Sequence, residues 1–366
     1  MDSKDAPQLI EHIHHSLNCT PFVTRWIPQT AKLLLLGETP RSTGTLTIFS
    51  LEENSLDVVR KNEDVKSSFK SGQLFKSRSG ATCLAAGHLD GTLSLWDLTN
   101  TREPVNRIKA HTGAVNAVDA VCGSSSASAG KAGKSSPLLA TGGADGCARV
   151  WDTRDNTQVL SLEPAEGEEV ADCWAIAFGD AHESATSAAC VVSGYDNGDV
   201  KLFDMRTGQL QWDTNLDFGV CHLQFDRKDI PMNKLAISCL EGHLFMADMR
   251  TLHPEEGYAK RSQKLSESTI WGAHFVPQNR ELFAAAAGSG TLRLYKYSYP
   301  KQRSVTEPET GLTKGVVGTL ELLNDTEAST QPLVSFDWHP NKLGLCAFAS
   351  LDQALRVYIV TKLHLY

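Results

Sequence analysis

The sequence predicts an all-β fold, a seven-bladed β-propeller whose ring is closed by a strand from the N-terminus. The main observation is a short run of alternating apolar residues that rises to a bulky position and recurs seven times along the 366 residues. Alternation with period two is typical of β-strands, and recurrence every few dozen residues is typical of repeat folds. The aligned positions are Phe49, Trp96, Trp151, Phe203, Ala247, Tyr295 and Tyr358.

Two of these units end in a Trp-Asp pair, at Trp96-Asp97 and Trp151-Asp152, after an Asp-Gly turn. The shortest distance between successive bulky positions is 44 residues, and we attribute the longer distances to insertions. This period and the terminal pair are similar to those of WD40 repeats, in which each repeat forms a four-stranded blade. We therefore expect residues 1–366 to form one WD40 propeller domain, with the blade-ending strands near the seven bulky positions.

The other strands of each blade follow from the same alternation. Inner strands that line the channel are predicted at 22–26, 115–118, 173–178, 220–225, 270–275 and 333–338. Middle strands are predicted at segments such as 138–143 and 190–194. We interpret three further stretches as insertions that lengthen the repeats. They are a low-complexity loop at 123–136, an acidic stretch at 163–169 and a long polar segment, or polar excursion, at 300–330.

Ring closure is expected from the two ends of the chain. Residues 8–15 precede the first inner strand and have no partner of their own, so we expect them to form the outer strand of the blade that contains residues 355–360. Such a latch would remove an open sheet edge, which is a site of unwanted pairing.

Composition narrows the function classes. The net charge of -8 and the lack of a Lys/Arg cluster disfavour a nucleic-acid binder. Nine cysteines without a CxxC pair disfavour a disulfide framework and a local zinc site, and suggest reduced thiols in a cytosolic protein. No apolar run is long enough for a membrane span and the N-terminus lacks a signal-like core, so a soluble cytoplasmic protein is expected.

Potential catalytic groups have structural explanations. His111, Thr141, Asp145 and Trp151 have the WD-type spacing that allows a buried chain of hydrogen bonds, which we favour over acid-base chemistry. The segment 133–135 resembles the end of a phosphate-binding loop but lacks its first glycine and the flanking strand and helix. A two-histidine metal site at His12 and His14 would need a third ligand, so adventitious binding or solvent exposure is favoured. We predict no catalytic residues, no metal and no cofactor.

A partner-binding rim is the favoured functional site. Aligning the starts of the inner strands gives Phe22, Asn116, Trp174, Cys221, Trp271 and Val334. We predict that Trp174, Tyr195, Trp271 and Phe22 bind a protein partner, because exposed Trp and Tyr often anchor interfaces. The alternative is that each aromatic residue packs between blades as core.

Several segments are more particular than the repeat. Residues 172–179, 194–204, 225–235, 277–283 and 357–363 resemble the WD-repeat axonemal dynein assembly factors, and the similarity runs from about Gln8 to the C-terminus, with a departure at 123–136.

The resemblance implies a non-catalytic cytoplasmic adaptor, with a further place in the cilium or flagellum. We also expect the chain to be monomeric. Its partners would be a chaperone co-complex of AAA+ ATPases and a TPR subunit, prefoldin-like proteins, and dynein heavy chains as clients, with no nucleic acid or membrane. A link to apoptosis is also implied. The alternatives are a ubiquitin-ligase substrate receptor and another signalling or apoptosis adaptor.

Overall fold

The computed structural model describes residues 6–121, 137–165, 167, 169–181, 190–255, 257–306, 308 and 311–366. Within these residues the chain forms seven four-stranded antiparallel sheets, one two-stranded hairpin and a short 3-10 helix at Leu363–Leu365. The seven sheets are the blades of a propeller, which confirms the predicted fold class. In the described part of the chain no helix is long and apolar enough to cross a membrane.

The strands are numbered in chain order, and the blades from the first complete sheet. Strand β1 (Leu9–Ser16) belongs to blade 7. Blades 1 to 3 consist, from inner to outer strand, of β2 (Thr20–Ile27), β3 (Lys32–Glu38), β4 (Gly44–Leu51) and β5 (Leu56–Val65); β6 (Phe69–Lys76), β7 (Thr82–His88), β8 (Thr92–Asp97) and β9 (Asn106–Lys109); and β10 (Val115–Val121), β11 (Leu138–Gly143), β12 (Ala148–Asp152) and β13 (Thr157–Leu162).

Blades 4 to 6 consist of β14 (Cys173–Gly179), β15 (Cys190–Tyr195), β16 (Asp199–Asp204) and β17 (Gln209–Asn215); β18 (Val220–Phe225), β19 (Lys234–Cys239), β20 (His243–His253) and β21 (Gly257–Lys264); and β22 (Ile270–Val276), β23 (Asn279–Ala287), β24 (Thr291–Ser298) and, after the hairpin of β25 (Ser304–Thr306) and β26 (Thr313–Gly315), β27 (Thr319–Glu327). Blade 7 consists of β28 (Leu333–Trp338), β29 (Leu345–Ser350), β30 (Ala354–Val360) and β1.

The inner strands contact one another around a central channel, and β28 contacts β2 to complete the ring. Seven apolar clusters fill the seven interfaces between neighbouring blades. Each blade therefore buries its faces against its neighbours, as expected for a propeller.

The predicted N-terminal latch is confirmed. Strand β1 pairs antiparallel with β30, from Leu9 opposite Val360 to Ser16 opposite Ala354. Ile13 and Leu17 pack in the cluster between blades 7 and 1. The latch therefore adds apolar burial as well as backbone hydrogen bonds.

Two features differ from the strand assignment made on the sequence. The seven bulky positions lie in the third strand of each blade, and in blades 1 to 6 an outer strand follows them. The stretch 300–330 is not only a polar excursion, because it contains the β25–β26 hairpin and β27, the outer strand of blade 6. The low-complexity loop, including 133–135, lies outside the described residues, and the acidic stretch 163–169 is described only in part.

Candidate partner-binding site at the channel mouth

Every inner strand carries one irregularity near its start. The pairing of each inner strand with the second strand of its blade slips by one residue there, so that one residue per blade is left without a partner. A bulge of this kind re-aims the side chain of the extra residue. The seven residues are Phe22, Lys70, Asn116, Trp174, Cys221, Trp271 and Val334. We call them the channel-mouth ring.

Side chains of the channel-mouth ring meet across the propeller axis. The Trp174 and Trp271 rings, from blades 4 and 6, are stacked with their centroids 6.3 Å apart and an interplanar angle of 20°. The Lys70 ammonium, from blade 2, lies 5.5 Å from the Trp174 centroid and 5.7 Å from that of Phe22 in blade 1. Blades 2 and 4 are not neighbours, so these contacts place the side chains over the channel. All four are half-buried.

The ring contains polar nitrogen atoms without acceptors. In the described part of the chain, Asn116 Nδ2 and Trp174 Nε1 are buried and have no hydrogen-bond partner. A buried donor without an acceptor costs about 1–3 kcal/mol. Two ring positions therefore carry a donor that an added acceptor could satisfy.

Alignment of the inner-strand starts within the chain predicted six of the seven ring positions, and Lys70 was not among them. No inner strand was assigned to blade 2, because β6 begins Phe69-Lys70-Ser71-Gly72, where polar and small residues interrupt the apolar alternation. Phe69 is buried just before Lys70, as Cys173 and Ile270 are buried just before the two ring tryptophans. An apolar residue in this position is the signal that could have located Lys70.

Tyr195 does not belong to this surface, contrary to its predicted role on the rim. Its side chain is 8% exposed and packs in the cluster between blades 3 and 4 with Val150 and Cys173. Its hydroxyl lies 3.3 Å from Ser193 Oγ. Tyr195 is the last residue of β15 and pairs with Cys173, and its ring faces the neighbouring blade rather than the channel.

The four WD-type polar residues of blade 3 form one continuous hydrogen-bond network. His111 Nδ1 lies 2.7 Å from Asp145 Oδ1, and His111 Nε2 lies 2.8 Å from Thr141 Oγ1. Trp151 Nε1 donates to the same Thr141 oxygen at 2.9 Å. Burial would raise the pKa of Asp145, but hydrogen bonds from the Thr112 amide, His111 and Arg149 outweigh it and lower that pKa. Thr141 is 0% exposed, so no substrate reaches its hydroxyl and the network supports the blade.

Blades 2 and 7 contain related networks that the sequence analysis missed. In blade 2, His88 Nε2 lies 2.6 Å from Ser94 Oγ, which also accepts the Trp96 indole N–H at 2.7 Å. In blade 7, Arg356 donates to Ser350 Oγ at 2.6 Å and to Asp352 at 2.5 Å. In both blades the residue two positions before the bulky residue is polar, Ser94 or Arg356. It bonds to a polar side chain at the end of the second strand, His88 or Ser350. These two polar positions are the signal common to both blades.

Other polar side chains line the channel beyond the ring. Arg25 Nε donates to Gln73 Oε1 at 3.0 Å, and the imidazole centroids of His222 and His274 lie 4.7 Å apart. Burial, assisted by the charge of Arg25, lowers the pKa of His222 to about 4, and burial lowers that of His274 well below its ordinary value. Both imidazoles are therefore neutral near pH 7.

The histidines of β1 show no metal-binding arrangement. His12 and His14 are exposed, and the His15 ring packs edge-on against Phe49 with centroids 5.1 Å apart. Across the described residues, no three His, Cys, Asp or Glu side chains are grouped to hold a metal ion. The eight described cysteines are all free thiols.

The sequence is similar to known proteins over its whole length. It is 47% identical over 366 residues to dynein axonemal assembly factor 10 of Chlamydomonas reinhardtii, covering 100% of this chain and 99% of the relative. The human protein of the same name is 42% identical over 365 residues, covering 100% and 99%, and that of Dictyostelium discoideum is 22% identical over 381 residues, covering 96% and 95%. A WD40 family model, described as WD domain, G-beta repeat, matches residues 102–152. That stretch contains the polar network of blade 3.

Proposed function

We propose, because the chain belongs to the dynein axonemal assembly factor 10 family, that it is a non-catalytic adaptor in the assembly of axonemal dyneins. The relatives are named dynein axonemal assembly factors, which supports a role in dynein assembly. The WD40 propeller supports the role of an adaptor, because such propellers present surfaces to other proteins. The whole chain, 1–366, would act as one domain, as a monomer in the cytoplasm and with a further place in the cilium.

The channel-mouth ring is the observation that carries this proposal. Phe22, Trp174 and Trp271 present aromatic surface on half-buried side chains, and Lys70 adds one positive charge between them. Large aromatic residues on a rigid scaffold are typical anchors of protein interfaces. Because the ring residues come from all seven inner strands, the backbone that carries this surface is held by the fold.

The finer proposal concerns the partners. The chain would bring dynein heavy chains to a chaperone co-complex of AAA+ ATPases, a TPR subunit and prefoldin-like proteins, and would itself perform no chemical step. A substrate receptor of a ubiquitin ligase and a signalling adaptor would use the same kind of surface, so identification of the bound proteins distinguishes these functions.

The test replaces two ring tryptophans together, as Trp174→Ala with Trp271→Ala. The variant is expressed in Chlamydomonas reinhardtii cells that lack their own relative, and axonemal dynein content and co-purified proteins are measured. We expect normal circular dichroism, loss of dynein recovery and loss of the chaperone subunits from the purified complex. Full recovery of dynein by the folded variant would contradict the role of the ring.

A matched control replaces two exposed apolar residues outside the ring, Val105→Ala with Val159→Ala. These side chains are 75% and 55% exposed, near the outer edges of blades 2 and 3. The control should restore dynein content as the wild-type chain does. Recovery of a ubiquitin-ligase adaptor in place of chaperone subunits would instead support the alternative function.

A further inference from the structure

Three nitrogen donors of the channel-mouth ring come from consecutive blades, and a fourth, the Trp271 indole, belongs to blade 6. Lys70 belongs to blade 2, Asn116 to blade 3 and Trp174 to blade 4. In the described residues the Lys70 ammonium forms no ion pair, and Asn116 Nδ2 and Trp174 Nε1 have no acceptor. The unsatisfied groups are therefore donors, and they occupy one side of the mouth.

No residue of the ring carries a carboxylate. Burial alone lowers the pKa of Lys70, and no charged neighbour contributes to that shift. The ammonium is thus partly removed from water and compensated only by the faces of Phe22 and Trp174. A cation in such a position gains more from an added negative charge than a fully hydrated lysine does.

The remaining side of the mouth is mainly apolar. Val334 of blade 7 and the rings of Trp271 and Phe22, from blades 6 and 1, give this side its apolar surface, and Phe22 reaches Lys70 in the neighbouring blade 2. A segment that crosses the mouth from blades 2–4 toward blades 6–1 therefore meets first a cation with neutral donors and then apolar surface.

We propose that the channel mouth binds a segment of a protein partner through an aspartate or glutamate side chain, with Lys70 as the counter-ion and an apolar residue of the same segment against Trp271. This proposal rests on the proposed partner-binding function and specifies the chemistry of the partner. The carboxylate meets the half-exposed Lys70 first. The covered Asn116 and Trp174 nitrogens are the next available donors once the aromatic stack adjusts.

The test starts from random 16-residue peptides displayed on phage and selected on the immobilised full chain. We expect enrichment of peptides with an Asp or Glu near a large apolar residue. The most enriched peptide, synthesised with blocked ends, is then the probe in fluorescence anisotropy. Lys70→Met should weaken its binding at least about tenfold, and Lys70→Arg should retain most of it. Replacement of the acidic residue of the peptide by its amide should weaken binding to the wild-type chain to a similar extent.

Exchange of the two charges, between Lys70 and the acidic residue of the peptide, is the most specific test of the ion pair. Lys70→Glu should lose the acidic peptide and should bind the same peptide when its acidic residue is replaced by Lys. The control is Lys296→Met, because Lys296 lies 5.7 Å from the Tyr366 ring in another part of the fold, and it should bind like the wild type. Circular dichroism of each variant confirms folding.

Selection of peptides without acidic residues, or binding of the enriched peptide by the folded Lys70→Met variant as tightly as by the wild type, overturns the proposal. The proposed function is tested separately, by the dynein content of cells that carry the Trp174→Ala and Trp271→Ala variant. If that variant loses dynein while Lys70→Met does not change peptide binding, the ring binds partners but not through a carboxylate.

Discussion

The Lys234 ammonium and the Asp226 carboxylate lie 3.4 Å apart, and neither side chain is exposed. The Tyr299 hydroxyl lies 2.7 Å from Lys234 Nζ, and Asn233 Nδ2 donates to Asp226 Oδ2 at 2.8 Å. The ammonium also lies 4.9 Å and 4.6 Å from the Tyr297 and Tyr299 centroids. Tyr299 follows β24, so the pair joins blade 5 to the segment that leads to the β25–β26 hairpin.

Lys234→Met should strongly destabilise the fold. It leaves the Asp226 carboxylate buried without its counter-ion, and removal of one member of such a pair typically costs about 3–5 kcal/mol. Urea denaturation followed by tryptophan fluorescence measures the free energy of unfolding. Lys264→Met is the control, because the Lys264–Glu267 pair is exposed and its loss should change the free energy of unfolding little. Equal effects of the two substitutions would argue against the structural importance of the buried pair.

Deletion of residues 1–18 should lower the melting temperature markedly. The deletion removes β1 and leaves the edge of β30 unpaired, and it takes Ile13 and Leu17 from the core between blades 7 and 1. Differential scanning calorimetry measures the change, and light scattering should show association through the open edge. Deletion of residues 1–5 alone leaves β1 complete and serves as the control. An unchanged melting temperature for the longer deletion would contradict the stabilising role of the latch.

Thr141→Val should destabilise blade 3 by about 2–4 kcal/mol. The valine has nearly the same shape but no acceptor, so the buried Trp151 indole and His111 imidazole each lose a hydrogen-bond partner. The free energy of unfolding is the measurement. The same substitution at exposed Thr207 should change it by no more than about 0.5 kcal/mol. A comparable loss at both sites would show that the network adds little.

Stability should fall as the pH is lowered from about 6.5 to 4, in part through His222. Its folded pKa of about 4 lies below the ordinary value of 6.5, because burial disfavours the charged form. In this window the unfolded chain binds more protons than the folded chain, so unfolding is favoured as pH falls. His274, Arg25, Asp119 and Lys228 are the titratable or charged groups that face it.

The measurement is the melting temperature of the wild type and of His222→Gln at pH 7 and pH 4.5. The glutamine cannot be protonated, so the difference between the two pH values should become smaller. His364→Gln, which removes an exposed histidine near the C-terminus, should leave the difference unchanged. An identical pH dependence in all three proteins would refute the assignment to His222.

The architecture could be predicted because strand alternation and turn residues are local signals. The bulky third-strand positions located all seven blades, and the unpaired segment before β2 located the latch. The outer strands were harder to recognise, since β5 and β17 expose most of their residues, β13 buries none of its own, and all three show little apolar alternation.

The candidate site could be predicted only in part. Trp174, Trp271 and Phe22 were located by aligning strand starts, but the direction of a side chain depends on the bulge, which the sequence does not specify. Tyr195 is one strand away from the ring and faces the core, and Lys70 faces the aromatic residues from a strand without a clear pattern. Contacts across the axis join blades that are distant in sequence, so no local pattern reveals them.

The latch also sets a delay in biosynthesis. Ser16 in β1 pairs with Ala354 in β30, so β1 leaves the ribosome roughly 340 residues before its partner strand exists. At about 5–20 residues per second, this interval is roughly 20–70 s. During that time six blades can form while the N-terminal strand remains unpaired, and the nascent ring is therefore exposed to mispairing until the last blade has been synthesised.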